Sequence, residues 1–305
     1  MVMNLHLLRV FFEVADKQSF SRAAEALFIS QPAVSKAVRE LERQLNLPLI
    51  ERGAGGNKGA RGIRLTESGQ AMFEHARSIF ALERAAIEDV RARVDLKRGQ
   101  LIVGTSTTIA GYWLPAYVAR FLQQFPSIQL KVHVGNTMEI SAALIDCNID
   151  VALVEGVVDD TRIISIHWRD DELRIIAHPD SRIARKRKPD VASLNEEVWL
   201  IREPGSGTRE VSERVMHAHD IKPNRIIELG SNEGIARAVA AGLGVAMVPT
   251  LVARELLMLG EVKALRYPPN APLLRPLFFL KLGERPLSPL ARAFYEMLQL
   301  QKQDN

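Results

Sequence analysis

The stretch Phe20–Leu45, FSRAAEALFISQPAVSKAVRELERQL, constrains the chain most. Its spacing predicts two short helices joined by a tight turn. Ser19 can cap the first, and Phe20, Ala23, Ala24 and Leu27 form its apolar stripe. Ser30 can cap the second, with Pro32 tolerated in the opening turn. Val34, Val38, Leu41 and Leu45 then recur at helical spacing, so one face packs. The other face carries Gln31, Ser35, Lys36, Arg39 and Arg43, with Glu42 at its margin. A capped helix with an amide, a hydroxyl and cations near its N-terminal end suits the major groove of duplex DNA. There Gln or Ser reads base edges, and Lys or Arg reaches guanine or phosphate. A solvated amphipathic helix has the same pattern, so this stretch alone leaves both readings open.

Charge placement adds weight to the first reading. The 305-residue chain has a net charge of +4, and residues 1–66 hold ten Lys/Arg against six Asp/Glu. Residues 67–98 and 99–305 are each balanced. The whole excess therefore lies with the suspected DNA-reading segment, as phosphate binding requires. A single cysteine, Cys147, excludes an internal disulfide and a multi-cysteine zinc site, and reads as a small buried hydrophobe. The N-terminal stretch is interrupted by Asn4, His6, Arg9, Glu13 and Asp16, so it reads as neither signal peptide nor membrane span. The expected location is cytoplasmic, with no membrane contact.

Leu5, Leu8, Phe12 and Ala15 predict a further helix, with Asn4 as its cap, closing a three-helix core. After Leu45, the segments around Leu47–Ile50 and Ile63–Leu65 read as two short strands flanking a loop rich in Gly and cations. This is a wing whose Arg52, Lys58 and Arg61 can reach flanking phosphates, or else an ordinary hairpin loop. A helix from Thr66 to about Asp95 carries Met72, Ala76, Ile79, Ala86, Val90 and Val94 near a/d spacing, broken by Glu83. At ~1.5 Å per residue it spans roughly 40 Å, more than a small core needs, and reads as a dimerisation seam.

From Gln100 onward the texture is α/β. Strand, helix, strand, helix, strand implies a mostly parallel, doubly wound sheet, and the pattern then repeats. ELRIIAH and KALRY read as crossings between two lobes, and the basic run Arg182–Pro189 as a solvated loop. The expected domains are 1–66 for DNA binding, 67–98 as linker, and 99–305 as a clamshell. Its first lobe takes about 99–166 plus 267–305, and its second about 167–266.

Two loops matter in the cleft. Ser106, Thr107 and Thr108 follow the first strand of one lobe and precede a helix. Gly205, Ser206, Gly207 and Thr208 do the same in the other. Ligands bind at the C-terminal ends of strands in open α/β sheets, and helix N-termini flanked by hydroxyls favour an anion. Asn136–Thr137 and Ser231–Asn232 hold similar positions, and Arg202 and Arg209 add positive charge. Glu155 opposes an anion unless an arginine pairs with it. Simple helix capping accounts for each loop taken singly. No Walker loop, no G-x-S-x-G elbow and no H-E-x-x-H pair occurs. An anion-processing enzyme therefore has no assembled catalytic set. A solute-binding receptor with an N-terminal assembly bundle is the other competing class.

SFSRAAEALFISQPAVSKAVRELERQL, followed by ER and then RLTESG, resembles the LysR-type transcriptional regulators, and the resemblance covers the whole chain. It implies a winged helix-turn-helix, a linker helix and a two-lobed effector domain of the periplasmic-binding-protein type. It also implies homodimers or homotetramers on double-stranded promoter DNA, and no cofactor. The candidate DNA-binding residues are Ser30, Gln31, Ser35, Lys36, Arg39, Arg43, Arg52 and Arg64. The candidate effector-binding residues are Ser106, Thr107, Thr108, Asn136, Glu155, Arg202, Ser206, Gly207 and Thr208. The wing loop is longer than the family's, and Ile50 stands where Phe is common. NTMEI, VEG and REPGSGTR are similar to regulators of carbon fixation and of sulfur or sulfite metabolism. That implies a small anionic effector, sulfite, sulfate or a phosphorylated metabolite.

Overall fold

A computed structural model describes residues 3–51, 63–94, 99–267 and 272–300. The chain divides into two units, Met1–Ile87 and Glu88–Asn305.

In the first unit, α1 (Leu5–Lys17), α2 (Phe20–Leu27) and α3 (Gln31–Leu45) start at the expected caps: Asn4, Ser19 and Ser30 each accept first-turn N–H bonds. Leu8, Phe11, Val34, Val38 and Leu41 form their shared core. The helix α4 (Glu67–Val94) begins where Thr66 Oγ1 accepts from the Gly69 N–H. Its N-terminal half supplies Ala76 and Phe80 to that core. Leu82, Ile87 and Val90 further along are exposed. The wing's two expected strands reduce, among the described residues, to one antiparallel bridge between Ile50 and Leu65. Glu42 is not at the margin of the outer face. It is buried, and its Oε1 accepts the N–H groups of Leu49 and Ile50 at 2.9 and 3.2 Å.

The second unit runs β1 (Gln100–Thr105), α5 (Thr107–Tyr112), α6 (Leu114–Gln124), β2 (Gln129–Val134), α7 (Thr137–Ile145), β3 (Val151–Glu155) and β4 (Ile163–Ala177). It continues through α8 (Arg182–Arg185), α9 (Val191–Asn195), β5 (Val198–Arg202), α10 (Gly207–Ala218), β6 (Arg225–Leu229), α11 (Asn232–Ala240) and β7 (Val245–Pro249). It ends with α12 (Thr250–Met258), β8 (Lys263–Ala264), β9 (Leu273–Leu282) and α13 (Pro289–Leu300). One sheet has the order β2-β1-β3-β9-β4-β7-β5-β6, with β8 beside β4. Pairing is parallel within β2-β1-β3 and within β7-β5-β6. The long crossing strands β4 and β9 run antiparallel to each other and to their neighbours. They join the two halves of this unit in the middle of the sheet.

Three details differ from the sequence reading. The basic run opens with a short helix, α8, because Ser181 caps it and Ile183 and Ala184 are buried. The segment after β1 is two helices, with Trp113 at their junction and Pro115 in the opening turn of the second. The first crossing strand starts at Ile163, ten residues before ELRIIAH's core leucine, Leu173. Each half has apolar clusters on both sheet faces; Phe121, Phe279 and Phe294 are fully buried in one of them. Burial of each such ring is worth about 1.5–3 kcal/mol.

Gly69 is where α4 lies against the strand segment of Leu49. A Cβ there would fall 1.9 Å from the Leu49 carbonyl oxygen, beside the Thr66 N–H···O Leu49 bond of 3.0 Å. Gly69→Ala is expected to destabilise the first unit by about 1–3 kcal/mol, read by denaturant unfolding. An unchanged midpoint contradicts this close approach.

Candidate functional site

The helix α3 presents Gln31, Lys36, Arg39 and Arg43 on its exposed side, with Ser35 half-buried among them. Arg39 Nη2 donates to Ser35 Oγ at 3.1 Å. Arg43 is paired with Glu40 through bonds of 2.8 and 2.6 Å, so its charge is partly answered within the helix. Those bonds, with a third from Gln44, lower the Glu40 carboxyl to about 2. Ser30 is the N-cap, leaving its hydroxyl on the Ala33 N–H at 3.4 Å. Arg64 is exposed beside the Ile50–Leu65 bridge. Arg52, Lys58 and Arg61 lie outside the described residues.

In the second unit, four helix N-termini meet at the C-terminal ends of the parallel strands. They belong to α5, α7, α10 and α11. Ser106, Asn136 and Ser231 cap three of them with side-chain bonds, whereas Ser206 at α10 makes no side-chain capping bond. The first-turn N–H groups of α10 therefore keep their donor capacity.

Most cleft residues expected from the sequence enter two hydrogen-bonded sets, one around Glu155 and Thr208 and one around Arg202 and Glu203; Ser206 and Gly207 contribute no side-chain bond to either. Ser106 Oγ donates to Glu155 Oε1 at 2.8 Å. Arg202 Nη1 reaches Thr107 Oγ1 at 3.5 Å, and its other nitrogens bind Glu203 at 2.7 and 2.8 Å. Asn136 Nδ2 reaches the same Glu203 at 3.5 Å. Burial works against the Glu203 carboxylate, but the bonds from Arg202 and its own backbone outweigh it and hold it below its usual range. Asn232 Nδ2 bridges Thr108 Oγ1 and Thr208 Oγ1, at 2.9 and 3.1 Å, across the two halves. The Met138 N–H donates to Gly205 O at 3.2 Å, a second crossing. Gly207 lies so close to β3 that a Cβ would fall 2.4 Å from Glu155 O. A cavity of about 670 Å³ opens beside these residues, lined by Thr137, Met138, Ser206, Gly207 and Arg209 among others.

The pair Arg275 and Asp171 was not singled out in the sequence. Arg275, fully buried on β9, donates through Nε and Nη2 to Asp171 Oδ2 at 2.9 and 2.7 Å. Its Nη1 donates to Thr208 Oγ1 at 2.7 Å, and Nη2 lies 3.4 Å from Glu155 Oε1. This is the arginine that Glu155 needs. Burial pushes the Asp171 carboxyl up, Arg275 opposes that, and the charge of Glu155 adds to it. The one signal for Arg275 in the sequence is a lone cation inside the apolar run PLLRPLFFL.

Known proteins fit this arrangement. Residues 5–70 match the family model described as "Bacterial regulatory helix-turn-helix protein, lysR family". Residues 95–302 match "LysR substrate binding domain". The chain therefore belongs to the LysR family of DNA-binding transcriptional regulators. It is 36% identical to a probable RuBisCO transcriptional regulator of Cyanidioschyzon merolae, over 83% of this chain and 84% of that protein. It is 29% identical to the HTH-type transcriptional regulator CysL of Bacillus subtilis, over 86% of each. The regulatory domain of Synechocystis CcmR in complex with 2-PG superposes with a TM-score of 0.62 at 26% identity, covering 68% of this chain and 98% of that one. These names are consistent with the expected likeness to regulators of carbon fixation and of sulfur metabolism. The matches are regulators and not enzymes, which removes the anion-processing reading, and the matched regulatory helix-turn-helix removes that of a solute receptor whose N-terminal helices serve only for assembly. Among the described residues no helix is long and apolar enough to cross a membrane.

Replacing Arg275 by Met leaves Asp171 and Glu155 buried without their cation. The expected loss is about 3–5 kcal/mol at neutral pH. Asp171 already has its folded pKa above its unfolded one, so the fold binds its proton more readily. Stability from this group is full below the unfolded pKa and is lost as pH rises through the folded pKa. Removing the cation widens that window. The deficit of Arg275→Met relative to the parent should therefore shrink on acidification. Denaturant titrations at pH 7 and pH 5 read it, and a deficit that grows toward acid contradicts the buried pairing.

Proposed function

We propose that this LysR-type regulator docks α3 in the major groove of promoter DNA and senses a small anionic metabolite at the four converging helix N-termini. Residues 1–66 serve DNA binding, 67–98 form the linker and 99–305 the effector domain. On α3, Gln31 and Ser35 are base readers, and among the described residues Lys36 and Arg39 are in no carboxylate ion pair, whereas Arg43 is paired with Glu40. Ser30 holds the entry turn, while Arg43, Arg64 and the wing's Arg52 reach phosphates. The exposed Leu82, Ile87 and Val90 of α4 supply the seam of a homodimer, which pairs further into a homotetramer.

One observation carries the anion: α10 begins among buried polar side chains, and the hydroxyl of its N-cap serine makes no bond to the helix's first turn. Ser106, Thr107, Thr108, Asn136, Arg202, Ser206, Gly207 and Thr208 surround that start. Glu155 is held by Ser106 and lies within ion-pair distance of Arg275, which offsets its charge. The 2-PG in the CcmR complex is a small phosphorylated anion of the class this site suits. Sulfite and sulfate are the other candidates. Effector binding favours one closure of the halves, and the bias passes to the DNA-reading heads as a shift in population. The protein acts in the cytoplasm, where promoter DNA is.

Lys36→Ala or Arg39→Ala is expected to weaken promoter binding by about 1–3 kcal/mol where the lost contact is to a base. Gel-shift titration at fixed salt reads it, and unchanged affinity counts against the assignment of α3. Thr208→Val removes a hydroxyl that takes bonds from both Arg275 and Asn232. It should abolish calorimetric binding of 2-PG, sulfite or sulfate and leave DNA affinity intact. If none of these anions binds the parent protein, the anion reading is lost.

A further inference from the structure

Between β4 and β5 the second unit carries a dense basic segment. From Ser181 to Pro189 the chain reads SRIARKRKP, with five cations and no acid. Residues 99–305 hold twenty-four Lys/Arg and twenty-four Asp/Glu, so outside this run nineteen Lys/Arg stand against twenty-four Asp/Glu. A charge run of this kind is ordinarily a loose solvated loop, but this one is held at both ends. Ser181 Oγ accepts the Ala184 N–H at 3.3 Å and donates to His178 O at 2.7 Å. Ile183, Ala184 and Pro189 are buried, and Lys263 Nζ donates to Ala184 O at 2.7 Å. Beyond the run, Asp190 closes a capping box on α9. Between these anchors Arg182, Arg185, Lys186, Arg187 and Lys188 are all exposed.

Two of the five are partly answered. Lys186 lies 3.6 Å from Asp190. Burial raises the Glu197 carboxyl, and the charges of Arg182 and Lys186 oppose that. Arg185, Arg187 and Lys188 are in no ion pair among the described residues. None of the five lines the cavity of about 670 Å³, and the run holds no aromatic ring on which a base could stack. Cations fixed this close together repel one another, and a polyanion relieves the repulsion. We propose that Arg185, Arg187 and Lys188 form a second DNA-contacting surface, taking the phosphodiester backbone of the duplex that flanks the site read by α3. The inference rests on α3 reading promoter DNA. Contact through phosphates carries no sequence information and adds affinity by counterion release. The acidic remainder of the unit repels a duplex, so the run also selects the side that approaches it.

The full-length protein is titrated by fluorescence anisotropy against two duplexes of one promoter site, one minimal and one extended by about two helical turns on each side. The triple variant Arg185→Gln/Arg187→Gln/Lys188→Gln keeps the buried anchors, and thermal unfolding checks its fold. It should bind the minimal duplex as the parent does. On the extended duplex it should lose about tenfold in affinity, and its slope of log affinity against log salt should flatten by about two to three. Where the triple variant does not fold, Arg187→Gln alone should flatten that slope by about one. Arg185→Lys/Arg187→Lys keeps both charges and should match the parent on both duplexes. Lys36→Ala should weaken both duplexes alike, so a failure of the α3 reading shows separately. Parental affinity and slope on the extended duplex in the triple variant overturn the proposal, and the run would then serve another polyanion. An equal loss on the minimal duplex or a loss in the lysine variant overturns it as well. So does a changed assembly size by sedimentation, which would place the run between copies of the chain.

Discussion

One buried guanidinium organises the second unit. Arg275 reaches Asp171 on the neighbouring crossing strand, Thr208 at the start of α10, and comes within 3.4 Å of Glu155 at the end of β3. These four residues come from both halves of the sheet and from both crossing strands. The group offers five donors in a rigid plane, so its partners are fixed in direction as well as distance. Two carboxylates share a single cation, which leaves the cluster with surplus negative charge. The surplus is tolerated because Ser106 donates to Glu155 and burial favours the protonated form of Asp171. Any ligand anion that enters must do so beside this charge, so its own charge has to be met elsewhere. In the proposed anion site the uncapped start of α10 would meet it, because Arg202 is already paired with Glu203.

Close backbone approach makes that possible. Gly207 lets α10 begin against the end of β3, and Gly205, with φ of +84°, turns the preceding loop so its carbonyl takes the Met138 N–H. A Cβ at Gly207 would fall 2.4 Å from the Glu155 carbonyl oxygen, so any other residue there would force α10 away from the end of β3. In the first unit a similar contact places α3: Glu42 turns inward and accepts the N–H groups of Leu49 and Ile50, which seats the wing's base against this helix. Among the described residues, Lys36 and Arg39 on the outer face of α3 are in no ion pair, whereas Arg43 is engaged by Glu40.

Local signals were enough for most of the architecture. Asn4, Ser19 and Ser30 sit where capping chemistry places them, and Asn136 completes a capping box with Glu139. The hydroxyl loops of the cleft could be read because strand–loop–helix order alone brings them to one sheet edge. Arg275 and Asp171 could not, because their meeting depends on the antiparallel register of β9 and β4 across a separation of 104 residues. No short pattern encodes that register. The same holds for the crossing strands' length and for α8, whose charge run hides Ile183 and Ala184.

Amide hydrogen exchange on the full chain tests the central claim most directly. The account predicts that 2-PG or sulfite slows exchange at Gly207, Thr208 and the other first-turn amides of α10, with smaller effects at the starts of α5, α7 and α11. Protection confined to other segments, or none at any of these four helix starts while the ligand binds, would contradict it.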